Sequence, residues 1–298
     1  MYTTLISVEQ LKALQSSGQP YKVFDCSFDL MNPQAGTDQY LQAHIPGAVY
    51  AHLDHHLSAA KDPATGKPAP GTAVNGGRHP LPLRETFAAW LGSVGLANGM
   101  QAVVYDRQGA NYCGRLWWML KWAGHEEVAV LDGGLQAWQA AAGAVESGPQ
   151  GPTSKANFAL ALEKTALVTM KTVADRLTSG NAGAQTVLDA RATPRFRGEV
   201  EPLDPVAGHI PGAVSAPTVE NVKPDGTFRS AADLAARFGA LGAADGAAVG
   251  AYCGSGVTAA HEVLALSLAG IPAGLYIGSW SEWITEPARP VATGPAAR

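Results

Sequence analysis

At 298 residues the chain can hold one large or two ordinary domains, because single hydrophobic cores stop growing at roughly 250 to 300 residues. It is 46% hydrophobic and 15% charged, with a formal net charge of -4. That is the composition of a soluble globular protein without the basic surplus that nucleic acid or anionic lipid would require. No stretch approaches about 18 uninterrupted apolar residues, and "MYTTLISVEQLKALQSSG" has no basic leader ahead of an apolar run. A cytoplasmic, non-exported protein with neither nucleic-acid nor membrane partners is expected.

In chain order, "SVEQLKALQ" reads as a helix and "KVFDC" as a buried strand. The long stretch "AHLDHHLSAAKDPATGKPAPGTAVNGGRHPLP" reads as an ordered surface loop, of the kind that often walls a site made by another domain. Then come the helix "LPLRETFAAWLGSVG" and the strands "AVVYD" and "VAVLDG". Residues 144 to 158, "AVESGPQGPTSKANF", are rich in Gly, Pro and Ser and read as a linker. Beyond it lie the strand "TVLDA", the helix "SAADLAARFGALG" and the strands "AAVGAYC" and "GLYIG". Apolar strands alternating with amphipathic helices predict βαβ units, hence an α/β fold with parallel sheets flanked by helices.

The two halves repeat one another. "YKVFDCSFDL" and "AHIPGAVYAHL" recur as "QTVLDARATPRF" and "GHIPGAVSAPT", pairing Asp25 with Asp189 and His44 with His209. "QAVVYDRQGANYCGRLWWMLKWAG" aligns with "AAVGAYCGSGVTAAHEVLALSLAG", and "VAVLDGGLQAW" with "AGLYIGSWSEW". Four anchors in one order place a domain at about residues 1 to 147 and a second at about 160 to 298. The loop after "AHIPGAVY" is longer than the segment at the same place in the second copy.

The three cysteines, Cys26, Cys113 and Cys253, form no C-x-x-C pair and no zinc-type spacing. Neither a disulfide framework nor a metal or other cofactor is therefore expected. Cys253 differs from the other two because it follows a predicted strand directly and opens the turn "CGSGVT" before a helix. In open α/β sheets ligands gather beyond the carboxyl ends of strands. Backbone N–H groups and the helix dipole there favour an anion, which predicts a thiol pKa below the reference of about 8.5 and a reactive nucleophile. Gly254, Ser255, Gly256, Val257 and Thr258 form an all-small loop able to surround a terminal sulfur. The first copy has Asp106 at the aligned position and so has no thiol chemistry there; Cys113 lies seven residues later on a predicted helix.

The tandem "HIPGA" copies, the "CGSGVT" loop and "GSWSEW" together resemble the two-domain rhodanese-like sulfurtransferases over nearly the whole chain. The resemblance implies tandem rhodanese-like domains, an inactive first domain, a catalytic second domain and an active site in the cleft between them. Sulfur would pass from a small donor to Cys253 as a persulfide, then to a thioredoxin-like or low-molecular-weight thiol, or to cyanide. Members that use thiosulfate follow the cysteine with basic residues, whereas those similar to 3-mercaptopyruvate sulfurtransferase have Gly and Ser. Gly254 and Ser255 thus favour 3-mercaptopyruvate, with thiosulfate as the alternative.

The same resemblance implies a donor clamp of two arginines, from "RF" and a later "EPR". Arg195 and Phe196 supply the first, but "EVEPLDP" puts Leu203 where the second belongs. Arg191 or Arg197 then substitutes, or the donor differs. A Ser-His-Asp arrangement proposed for some members maps onto Ser255 and His44, with Asp38 or Asp29 as the acid. Two other readings compete. A phosphatase of the C-x5-R type is disfavoured by Ala259 at the arginine position, and a non-catalytic sulfur-relay module would bind a partner without turning over small donors.

Overall fold

The computed structural model describes residues 1 to 178, 185 to 243 and 248 to 295. Its contacts divide the chain into two units: Met1–Ala73, Leu81–Thr165 and Lys223–Phe228 make the first, and Val74–Pro80, Ala166–Val222 and Arg229–Arg298 the second. The division is not a single cut. Part of the long loop belongs with the second half of the chain, and a short hairpin around Asp225 belongs with the first.

The first unit carries five parallel strands, β1 (Leu5–Ile6), β2 (Tyr21–Asp25), β3 (Val49–Tyr50), β4 (Gln101–Tyr105) and β5 (Val128–Leu131), in the order β1-β5-β4-β2-β3. Around them lie α1 (Val8–Ser16), α2 (Pro33–Gln42), α3 (Arg84–Ser93), α4 (Cys113–Trp122) and α5 (Gly134–Ala140). Helix α1 begins with a capping box. Ser7 Oγ accepts from the Gln10 amide at 3.2 Å while Gln10 Oε1 accepts from the Ser7 amide at 2.8 Å, a device typically worth about 1 kcal/mol. Val8, Leu11 and Leu14 then face the core at helical spacing. Both β4 and α4 are buried along their whole length, which explains why their sequences are mostly apolar.

The second unit repeats the plan with β6 (Ala166–Val168), β7 (Gln185–Asp189), β8 (Val214–Ser215), β9 (Ala248–Tyr252) and β10 (Ala273–Tyr276), all parallel in the order β6-β10-β9-β7-β8. Its helices are α6 (Met170–Thr178), α7 (Thr193–Arg197), α8 (Ala231–Ala240), α9 (Thr258–Leu268) and α10 (Ser279–Trp283). The repetition extends to register: Asp25 pairs with Tyr105 in the first sheet and Asp189 with Tyr252 in the second. Each of these tyrosines accepts a hydrogen bond from the isoleucine of its HIPGA segment, Ile45 at 3.0 Å and Ile210 at 3.1 Å.

The strands expected from the sequence are present. The edge strands β1, β3, β6 and β8, two or three residues long, are too short to leave a periodic signal. The strand expected at "AAVGAYC" is seen from Ala248; residue 247 lies outside the described residues. The linker is bound rather than free: the Ala156 amide donates to Gly92 O at 2.8 Å and Phe158 is buried.

Candidate active site

Cys253 follows β9 at the carboxyl end of the second sheet, and the next turn leads into α9. The Gly256 amide donates to Cys253 Sγ at 3.1 Å. Gly256 has a φ of 75°, and a Cβ there would run into the Ile277 carbonyl. Only glycine permits that curl. The loop is also held from outside: the Trp280 amide donates to Cys253 O at 3.0 Å and the Ser281 amide to Gly254 O at 2.8 Å.

Ser279 occupies a strained left-handed conformation, φ 55°, where the first copy has Gly134. Its hydroxyl accepts from the Cys253 amide at 3.0 Å, donates to Tyr276 O at 2.9 Å, and lies 4.0 Å from Cys253 Sγ. A non-glycine residue there costs on the order of 1 kcal/mol, offset by the hydrogen bonds it makes beside the thiol.

The aligned loop of the first unit is filled differently. Asp106 Oδ1 accepts from the amides of Gln108 and Ala110, both at 2.9 Å, and Oδ2 from those of Tyr112 at 2.8 Å and Cys113 at 3.0 Å. The loop is an anion nest whose anion is the protein's own carboxylate. Cys26 and Cys113 are buried beside it, and burial, reinforced by the nearby carboxylates, pushes both thiols well up.

Of the expected partners of Cys253, Ser255 is buried and its Oγ lies 2.7 Å from a histidine nitrogen. That histidine is His79, not the expected His44. Both ring nitrogens of His44 are engaged inside the first unit, Nδ1 by Tyr40 O at 2.8 Å and Nε2 by Glu146 at 3.1 Å, and its ring stacks on Tyr40 at 3.9 Å. His209 is held through one nitrogen in the second unit, with Nδ1 at 2.8 Å from Phe196 O and its ring 3.7 Å from that of Phe196. The paired histidines of the HIPGA segments are structural. Asp38 and Asp29 are likewise occupied locally, by the Gln34 side chain at 3.0 Å and the Met31 amide at 2.8 Å.

Helix α7 explains the arginines. Pro194 opens it, Gly198 closes it in the left-handed region, and buried Phe196 anchors it. Residues two apart on a helix point to opposite sides, so Arg195 and Arg197 diverge. Arg195 grips Glu201 in two hydrogen bonds, 2.6 and 3.2 Å, and reaches Asp204 at 3.3 Å. Arg197 instead faces outward, its side chain 46% exposed, 3.8 Å from Glu199. Arg191 is buried, bound to Asp189 at 2.6 Å and to Gly208 O at 2.7 Å, with its guanidinium 4.9 Å from the Trp280 ring. Neither Arg191 nor Arg197 is positioned to replace the arginine absent at Leu203.

A different arginine stands at the loop. Arg78 pairs with Asp204 and its amide donates to Ser281 Oγ at 2.9 Å, while the Gly76 amide donates to Glu282 at 2.7 Å. A side chain at Gly254 would meet Arg78 Nη2 at 3.0 Å and Arg195 Nη2 at 3.4 Å, so two guanidinium groups converge next to Cys253. Arg78 and His79 come from "NGGRHPLP", inside the long loop of the first half. The extra length of this loop over its place in the second copy was the signal that could have singled them out. Burial, with the Glu201 carboxylate adding to it, pushes Asp204 up despite both arginines; in Glu201 burial is outweighed by Arg195 and nearby amides, and its carboxyl is held down.

A doubled five-stranded parallel sheet, with a thiol on a glycine turn at a strand end in one copy and a carboxylate in the other, defines a tandem rhodanese-like protein. The family model for the rhodanese-like domain matches residues 7–141 and 169–286, and the chain belongs to the two-domain rhodanese-like sulfurtransferases. It is 45% identical over 295 residues to a probable 3-mercaptopyruvate sulfurtransferase of Pseudomonas aeruginosa, covering 97% of this chain and 98% of the relative. It is 40% identical over 296 residues to a putative thiosulfate sulfurtransferase of Mycobacterium tuberculosis, covering 98% of each. The crystal structure of a 3-mercaptopyruvate sulfotransferase from Escherichia coli superposes with a TM-score of 0.75 at 31% identity, over 94% of this chain and 100% of that one.

Proposed function

We propose that this sulfurtransferase takes its sulfur from 3-mercaptopyruvate and carries it as a persulfide on Cys253. The single observation behind this reading is the Ser255–His79 pair, 2.7 Å apart, two residues from Cys253 on a loop overhung by Arg78 and Arg195. Cys253 Sγ, as thiolate, attacks the donor's sulfur and an S–S bond forms. The donor's C–S bond breaks, and its electron pair passes through C3 and C2 onto the carbonyl oxygen, giving pyruvate enolate. Ser255 can give a proton there and recover one from His79, which completes pyruvate after tautomerisation. An acceptor thiolate or cyanide then attacks the outer sulfur and releases the Cys253 thiolate.

Transfer falls to the second copy, about residues 160 to 298, while the first, about 1 to 147, carries Asp106 in place of a thiol. A reducing cytoplasm suits three free, buried cysteines, and thioredoxin-like or small thiols are the acceptors it would offer. The second reading is thiosulfate as donor. Two guanidinium groups beside Gly254 suit a sulfonate, and one relative is named for thiosulfate.

Mass spectrometry tests the chemistry. Incubation with 3-mercaptopyruvate should add one sulfur to the Cys253 peptide, and Cys253→Ser should abolish transfer while Cys26→Ser and Cys113→Ser retain most of it. An unmodified peptide with both donors would overturn the persulfide. A higher kcat/KM for thiosulfate than for 3-mercaptopyruvate would exchange the two readings.

A further inference from the structure

We infer that Arg78 is the second donor-binding arginine, holding the carboxylate of 3-mercaptopyruvate together with Arg195. The inference rests on the donor reading above and names a residue of the long loop of the first half, outside the segments that repeat. Leu203 leaves the usual position without a cation, but the next residue, Asp204, projects a buried carboxylate that binds Arg78 on one oxygen and Arg195 on the other. The segment bearing Arg78 is fixed to α10 through the Gly76 and Arg78 amides. The absence of an arginine at Leu203 is thus matched by the capture, through Asp204, of an arginine 126 residues before that aspartate.

The geometry fits a planar carboxylate. Arg78 Nη2 and Arg195 Nη1 and Nη2 all lie within 3.0 to 3.6 Å of the space a Cβ at Gly254 would take. The absence of a side chain at Gly254 lets both guanidinium groups approach the loop backbone there, one residue from the nucleophile. Glu201 and Asp204 hold the guanidinium planes in place. Among the described residues no acceptor engages Arg195 Nη1. Fixed guanidinium forks of this kind recognise carboxylates through paired charge-assisted hydrogen bonds, and a carboxylate docked on them would bring its α-carbonyl toward Ser255 and its β-sulfur toward Cys253.

The test compares 3-mercaptopyruvate with 1-mercaptopropan-2-one, which keeps the thiol and carbonyl but has a methyl group for the carboxylate. In the full-length protein Arg78→Gln should lower kcat/KM for 3-mercaptopyruvate about 30-fold or more, mainly through KM. It should change the mercaptopropanone value by less than about threefold. Adding Leu203→Arg to that variant should restore about tenfold. Arg78→Lys, which keeps the charge facing Asp204 but not the fork, should show the same donor-selective loss to a smaller degree, and it serves if Arg78→Gln does not fold. An equal loss with both donors would make Arg78 merely structural, and no loss with either would remove it from the site. A wild-type protein inert toward 3-mercaptopyruvate but active with thiosulfate would overturn the donor reading itself, and this inference with it.

Discussion

Ser255 and His79 form the most consequential contact of the candidate site, because a serine hydroxyl needs a base or relay behind it to move a proton. Replacing Ser255 by Ala, or His79 by Asn, should lower kcat with 3-mercaptopyruvate by about 10²-fold or more, the usual worth of a positioned proton donor. The Cys253 thiol remains in both variants, so each should still accept one sulfur in a long incubation. Steady-state kinetics with parallel mass spectrometry separates these effects; unchanged kcat in both variants would remove the pair from the mechanism. His44→Asn makes the contrast, since its bonds to Tyr40 and Glu146 predict a loss of stability rather than a specific loss of kcat. At this scale the sequence was a partial guide. Cys253, Ser255 and Arg195 stand out in the sequence because their motifs are local, and the structure gathers them at one loop, whereas two-residue spacing on a one-turn helix turns Arg197 outward.

At the scale of elements, the strand, loop and helix around Cys253 and around Asp106 are one design with two anions. Asp106→Ala would strip acceptors from four amides at once, and should destabilise the protein by at least about 2 kcal/mol in a denaturant melt, given the cost of unsatisfied buried donors. Helix α9 adds a pH dependence. Glu262, fully buried on it, is bound to Asn221 at 2.7 Å and lies 3.4 Å from Arg237. Burial dominates and pushes its carboxyl from 4.5 up to about 7, against the pull of Arg237 and Asn221. The folded protein therefore holds this proton more tightly than the unfolded chain. The associated stability is complete below about pH 4.5, declines as pH rises, and is lost by about pH 7, a change on the order of 3 kcal/mol. Glu262→Gln should flatten that slope. Chemical denaturation of both proteins between pH 5 and 8 measures it, and parallel slopes would refute the assignment.

At the scale of the whole molecule, the chain uses one fold twice, with a thiol at the strand end in one copy and a carboxylate in the other. Asp106→Cys tests how much the loop alone provides. The first unit would then own a strand-end thiol, but its turn "RQGANY" carries no serine. With 3-mercaptopyruvate the variant should still gain one sulfur per chain, on Cys253, and a second sulfur on residue 106 would show that the nest by itself is sufficient. The amino-acid sequence determined the doubling, the central strands and the singular position of Cys253, because apolar periodicity, turn glycines and internal repeats are written over a few residues at a time. Tertiary structure alone decided which histidine meets Ser255, 176 residues away, and which arginine meets Asp204, 126 residues away. Those partners sit in an aperiodic loop whose path is set by hydrogen bonds to distant backbone and side chains, and contacts of that range leave no local pattern to read.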